Sequence, residues 1–255
     1  SSTGAASGHV CRLPPMNFAF TEEQEELRKT VRQFLEAKSS EEAVREQMET
    51  TDGFDAAVWS QMGEQMGLQG LIVPEEFGGS GFSYVELGIV LEEMGRSLLC
   101  APFFSTVVLA ANTLIHSGDD AAKAAHLPGI ASGETIATVA FTEPSGKWDE
   151  SGITMQASGS GSDWTLNGTK MFVLDGHTAN LIIVAARTAK GVSLFAVDGG
   201  AAGAEGGQFH LGAHARRERV DAQQLVGVGL EPDAVDHERP VVGSSGVMLH
   251  LQPPQ

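Results

Sequence analysis

From Phe20 to about Gly118 the apolar residues recur at helical spacing. Thr21 followed three residues later by Gln24 makes a capping box, and Leu27, Val31, Phe34 and Leu35 then fall on one stripe. Asp55 caps a second stripe of Trp59, Met62 and Met66. Ser83 with Glu86 makes another capping box ahead of Leu87, Val90, Leu91 and Met94, with Gly95 closing that helix. A fourth helix is predicted from Ser105 to Ile115. One-sided stripes must be buried against partners, so this segment is predicted to be a small all-α bundle.

From Glu134 to Val197 the period becomes that of strands. The runs are Thr135 to Phe141, Ile153-Thr154-Met155, Trp164-Thr165-Leu166, Met171-Phe172-Val173, Leu181 to Val184 and Val192 to Val197. Asn167-Gly168 lies between two of them, and Asn-Gly is the commonest type I′ hairpin signal, so a hairpin turn is predicted there. Pro144 supplies no N–H to a ladder, which ends the first run at Thr142-Glu143-Pro144. The predicted class is α+β: an N-terminal all-α bundle over 16–133, then a partial antiparallel β-domain over 134–200.

Composition narrows the function classes. A net charge of -17 argues against a nucleic-acid partner, which would need clustered Lys and Arg. Glu22-Glu23, Glu25-Glu26, Glu41-Glu42, Glu75-Glu76 and Glu92-Glu93 carry much of the acidity and read as solvated helix faces. Cys11 and Cys100 give neither a disulfide framework nor metal-ligand spacing, so a reducing cytoplasm and no metal are expected. No apolar run approaches the roughly 18 to 20 residues of a membrane span, and no signal-peptide pattern opens the chain. Gly78-Gly79-Ser80-Gly81 lacks the Lys-Ser/Thr of a phosphate loop and reads as a flexible turn feeding the Ser83 cap, while His116 and His126 read as cap or surface residues.

Several motifs together resemble the acyl-CoA dehydrogenase family. Pro74-Glu75-Glu76-Phe77-Gly78-Gly79-Ser80-Gly81 and Leu91-Glu92-Glu93-Met94-Gly95-Arg96 are similar to its N-terminal domain. Leu127-Pro128-Gly129 with Ser132-Gly133-Glu134 resembles its link into the middle domain, which is matched by Thr142-Glu143-Pro144 and by Asn167, Gly168, Lys170, Phe172 and Gly176. The resemblance implies FAD as cofactor, with the backbone at Phe141 and Thr142 against the flavin pyrimidine and Phe172, Val173 and Leu174 against the ring. It also implies an acyl-CoA substrate near Phe104 and Val107, an electron-transfer flavoprotein or similar acceptor, and a homo- or hetero-oligomer. Two positions depart from the family: Lys147-Trp148-Asp149 stands for Gly-Ser-Asp, and Leu174 replaces a Thr or Ser whose hydroxyl would meet flavin N5.

In the family a carboxylate base removes the α proton of the thioester while the β hydrogen leaves as hydride. That base usually comes from a C-terminal helical bundle, so no catalytic residue is assigned here and Glu143 reads as a structural strand-end residue. Residues 1–15 lack periodicity and read as an extraneous leader. After Gly200 lysine disappears, and His210, His214, His237 and His250 are half of the chain's 8 histidines. Residues 201–255 are therefore expected to lie outside the family, with a frameshift near residues 200 to 211 that the other reading frames of the DNA would expose. Two readings follow. One is an FAD-dependent dehydrogenase of fatty or sterol acyl-CoA thioesters, truncated here and binding flavin weakly or not at all by itself; the other is a non-catalytic partner subunit of a hetero-oligomeric dehydrogenase.

Overall fold

A computed structural model describes residues 19–160 and 163–201 and, as backbone only, short strands at Gly203–Glu205, Gln208–Leu211, His214–Arg216 and Arg219–Val220. The leader, Cys11 and His237 and His250 of the tail lie outside the described residues.

The caps read from the sequence set the helix starts. Helix α1 (Glu22–Lys38) opens on the full Thr21/Gln24 capping box, α3 (Ala56–Glu64) on Asp55, and α4 (Tyr84–Arg96) on the full Ser83/Glu86 box. Between them α2 (Glu41–Met48) starts at Ser40, a short helix with no buried residue and no apolar stripe to announce it. The predicted fourth helix forms as α5, π-helical over Phe104–Ala111 and α-helical over Asn112–Ile115, and α6 (Asp120–Ala131) follows from its Asp119 cap with Pro128 inside it. Gly95 does not close α4. That helix continues to Arg96, and the left-handed position is taken by Leu98 at φ 50°.

Val31, Leu35, Trp59, Met62, Leu87, Val90 and Met94 form the core of the bundle, as the stripes require. Gly79 is a close-approach residue and not a flexible one: a Cβ there would fall 2.0 Å from the Val73 carbonyl oxygen. The Glu92-Glu93 pair is split. Glu92 faces solvent, but Glu93 is buried, because Arg28, Arg32 and Arg96 converge on it from α1 and α4. Paired arginines let a carboxylate leave water.

The second half is a nine-stranded sheet. Its strands are β1 (Ala137–Ala140), β2 (Gln156–Ser160), β3 (Asp163–Met171), β4 (Leu181–Thr188) and β5 (Gly191–Asp198), then β6 to β9, the four short strands after residue 200. The order is β6-β7-β3-β2-β4-β5-β9, with β1 paired to β4 and β8 to β3. The sheet is mixed rather than antiparallel throughout, since β1 runs parallel to β4 with Ala137 opposite Leu181. Helices α5 and α6 cover one face through Ala110, Leu114, Leu127 and Ile130 against Leu181, Ile183 and Ala185. Ile182, Val184 and Ala186 pack on the opposite face with Leu166, Phe195 and Val197. Burial on both faces explains why β4 reads as an unbroken apolar run.

Two strand expectations are corrected. Asn167 and Gly168 lie inside β3, opposite Gln156 and Leu211, and β2 pairs with β3 up to Ser160 opposite Asp163. Neighbours on both sides of β3 outweigh the local turn preference of Asn-Gly. Ile153 to Met155 is loop, and β2 begins at Gln156. The Met155 carbonyl accepts from the Arg187 backbone N–H at 2.7 Å, beside the Gln156–Arg187 bridge to β4, and the Ile153 carbonyl accepts from Arg187 Nε at 2.9 Å, which satisfies both.

Candidate functional site

Chain geometry brings together the end of β1, the end of β3 and the segment after β3. Thr142 has left β1 at its proline-marked end, and its carbonyl accepts from Met171 N–H at 2.8 Å. The Leu174 carbonyl accepts from Thr138 Oγ1 of β1 at 2.7 Å, so residues 171–174 run beside β1. Phe172 adopts φ 55°, a left-handed conformation that is costly for an aromatic residue, and its side chain is 77% exposed. Val173 turns inward to the sheet core, and Leu174 turns out again at 50% exposure. The result is an apolar wall, Phe172 and Leu174, beside the strand end at Phe141 and Thr142. Met171-Phe172-Val173 is therefore a strand only as far as Met171.

Beneath this corner lies a buried ion pair. Lys170 is 0% exposed, the largest fully buried side chain among the described residues, and its Nζ donates to Glu143 Oε1 at 2.7 Å and to the Phe141 carbonyl at 3.2 Å. Glu143, 3% exposed, also accepts from Met155 N–H at 3.1 Å, from Thr154 N–H at 2.8 Å and from the Thr154 hydroxyl. Burial by itself pushes the Glu143 carboxyl up; the Lys170 ammonium and the Thr154 and Met155 donors outweigh it and hold the group below the usual carboxylate range. Burial lowers Lys170, and Glu143 offsets part of that. Glu143 is thus committed to structure, as its strand-end position suggested, and no base emerges from it. Its role as the hub of three segments is what sequence reading did not supply.

The helical domain closes one side. Ser105 Oγ donates to Asp175 Oδ2 at 2.6 Å and Thr106 Oγ1 accepts from Ala137 N–H at 3.1 Å, which pins the π-helical turn to β1 and to the segment after β3. π-Helical turns recur at functional sites, where the extra residue re-aims side chains. Phe104, next to Ser105, is half exposed, whereas Val107 is fully buried in the helical core and is a packing residue in this structure. Trp148, in the loop that departs from the family motif, stands in solvent. His116 meets Tyr84 Oη at 2.8 Å at the end of α5, a cap position. Among the described residues no cluster of His, Cys, Asp or Glu could hold a metal ion. No helix there is long and apolar enough to cross a membrane.

Comparison with known proteins fits this geometry. The family profile for the acyl-CoA dehydrogenase N-terminal domain matches residues 21–134, and that for the middle domain matches residues 138–218. The chain belongs to the acyl-CoA dehydrogenase family. The match continues past Gly200, where the sequence reading placed its end, through residues that form β6 to β8. The mitochondrial isovaleryl-CoA dehydrogenase of Pongo abelii is 31% identical over 214 residues, covering 78% of this chain and 50% of the relative. An acryloyl-CoA reductase (NADH) of Anaerotignum propionicum is 32% identical over 200 residues, covering 75% and 50%. In structure the chain is similar to the ChsE4-ChsE5 complex from Mycobacterium tuberculosis, with a TM-score of 0.70, 29% identity, and coverage of 79% of this chain and 57% of that one. The chain spans about half the length of the curated relatives it matches.

Proposed function

We propose that this chain supplies the flavin-facing half of an FAD-dependent enzyme that oxidises an acyl-CoA thioester at its α and β carbons. The observation that carries the reading is the corner at Phe141, Thr142, Phe172 and Leu174: an aromatic side chain held outward by a strained backbone, beside a strand end whose carbonyls face inward. A planar heteroaromatic ring needs an apolar wall and backbone donors at its edge, and both kinds of group are present here. When bound, the flavin would supply a two-electron acceptor for the hydride that leaves the β carbon. The residues of this chain bind and orient: Phe172 and Leu174 cover a ring face, Thr142 N–H meets the ring edge, and Phe104 borders the acyl side. Leu174 offers no hydroxyl to the reactive nitrogen. The α proton requires a base; at this corner Glu143 is fully paired and Asp175 is held by the Ser105 hydroxyl, and neither is assigned that role.

The partner-subunit reading draws support from the likeness to ChsE4-ChsE5, a complex. Titration of the purified chain with FAD, read as a difference absorbance spectrum, separates these possibilities from a purely structural role. Against the sequence-based expectation of weak or absent binding, the corner predicts a weak but saturable change in the flavin bands at high FAD, with no oxidation of acyl-CoA by an artificial acceptor. A flat difference spectrum overturns the flavin reading, and turnover by the chain itself requires a base that the present assignment lacks.

A further inference from the structure

Resting on the flavin reading above, we infer that Lys170 is a positioning residue: it fixes the plane of the Phe141–Thr142 peptide so that Thr142 N–H is presented outward as a ligand donor. The geometry is direct. Lys170 Nζ holds the Phe141 carbonyl at 3.2 Å from the buried side, and no peptide bond among the described residues is cis. In a trans peptide the C=O and the next N–H point in opposite directions. Drawing the Phe141 oxygen inward therefore turns the Thr142 N–H outward, and among the described residues no acceptor meets it. Met171 N–H, by taking the Thr142 carbonyl, fixes the following peptide in the same way. Lys170 is itself held by Glu143, which Thr154 and Met155 lock in place, so the ammonium cannot swing away. A neutral side chain at 170 could pack in the same space but would free this peptide to rotate. The arrangement makes a buried charge, out of reach of any ligand, the determinant of where a backbone donor points.

Selective labelling reads that peptide alone. The chain has only two Phe-Thr sequences, Phe20-Thr21 and Phe141-Thr142, so carbonyl-labelled phenylalanine with nitrogen-labelled threonine gives two carbonyl–amide correlations, one of them a control in α1's cap. FAD titrated into the labelled chain should move the Phe141–Thr142 signal and leave the other in place, even where binding is weak. Lys170→Met should displace the Phe141–Thr142 signal before any FAD is added and should weaken FAD binding by roughly tenfold or more, the size expected for a misplaced hydrogen bond in a closed site. Lys170→Gln, which keeps a donor at 170, should recover part of the affinity, and an unchanged amide spectrum of the β-domain outside residues 141–143 and 170–174 reports that each variant is folded. An unperturbed Phe141–Thr142 signal in Lys170→Met, or wild-type FAD affinity in that variant, overturns the role given to Lys170. A wild-type chain whose signals ignore FAD overturns the flavin reading, and the purpose of the outward N–H with it, while the position of the signal in the variant still decides whether Lys170 sets the peptide.

Discussion

Two glutamates are buried among the described residues, and they are buried by opposite means. Glu93 sits between α1 and α4 under three arginines whose stems reach in from the surface; Arg32 and Arg96 keep part of their guanidinium in solvent and pair with it at 2.6 and 2.9 Å. Glu143 faces a lysine that is itself buried. The first arrangement leaves the cations hydrated and works as a staple between helices, whereas the second removes both charges from water and is tolerable only because every remaining lone pair has a donor. A staple can be weakened without changing shape. A fully desolvated hub cannot, and it lies under the corner where the ligand is expected. The difference teaches where charge serves stability and where it serves geometry.

Breaking the second pair should have the largest effect. Lys170→Met leaves the Glu143 carboxylate buried without its counter-ion and should cost about 3 to 5 kcal/mol in chemical unfolding. A loss no larger than that of a surface substitution would place the pair in water. Glu93→Gln should cost less, on the order of 1.5 to 3 kcal/mol, because the arginines left behind recover hydration. Acid titration sharpens the contrast within the bundle. The Arg32 hydrogen bonds, opposed by burial and helped by Arg96, hold Glu93 at about 2 against an ordinary 4.5. A depressed carboxylate contributes its stabilisation above its unfolded pKa and loses it as pH falls through the folded one, so this contribution should drain away between about pH 4.5 and 2. Glu93→Gln should flatten that acid limb, as seen by circular dichroism.

How much of this was legible in the sequence depends on the range of the interactions. Capping boxes and stripes are local, so Thr21, Asp55 and Ser83 opened their helices where expected. Asn167-Gly168 misled because cross-strand neighbours on both sides override a turn preference. Glu92-Glu93 looked like one solvated face because nothing local shows that Arg28 and Arg32, some sixty positions earlier, return to meet only the second of them. Phe172 was found by motif, but its left-handed backbone and outward aim belong to the loop geometry. The Lys170–Glu143 hub was invisible as a pair, being a contact between the end of β3 and the segment that follows β1, 27 positions apart, which Met171 N–H joins through the Thr142 carbonyl.

Smaller effects follow at the corner itself. Phe172→Gly relieves the positive φ and should stabilise the fold by up to about 1 kcal/mol while weakening flavin binding, opposite signs that mark strain kept for function. Leu174→Thr should add no more than about 0.5 to 1.5 kcal/mol to flavin binding through a new hydroxyl donor. Unchanged affinity there would set Leu174 apart from the ring.

The most direct test of the central claim is the FAD difference spectrum of the wild-type chain set beside that of Phe172→Ala, at matched protein folding. The account predicts a saturable perturbation of the flavin bands in the wild type that Phe172→Ala diminishes severalfold. Equal spectra for the two proteins, or none for either, would contradict it.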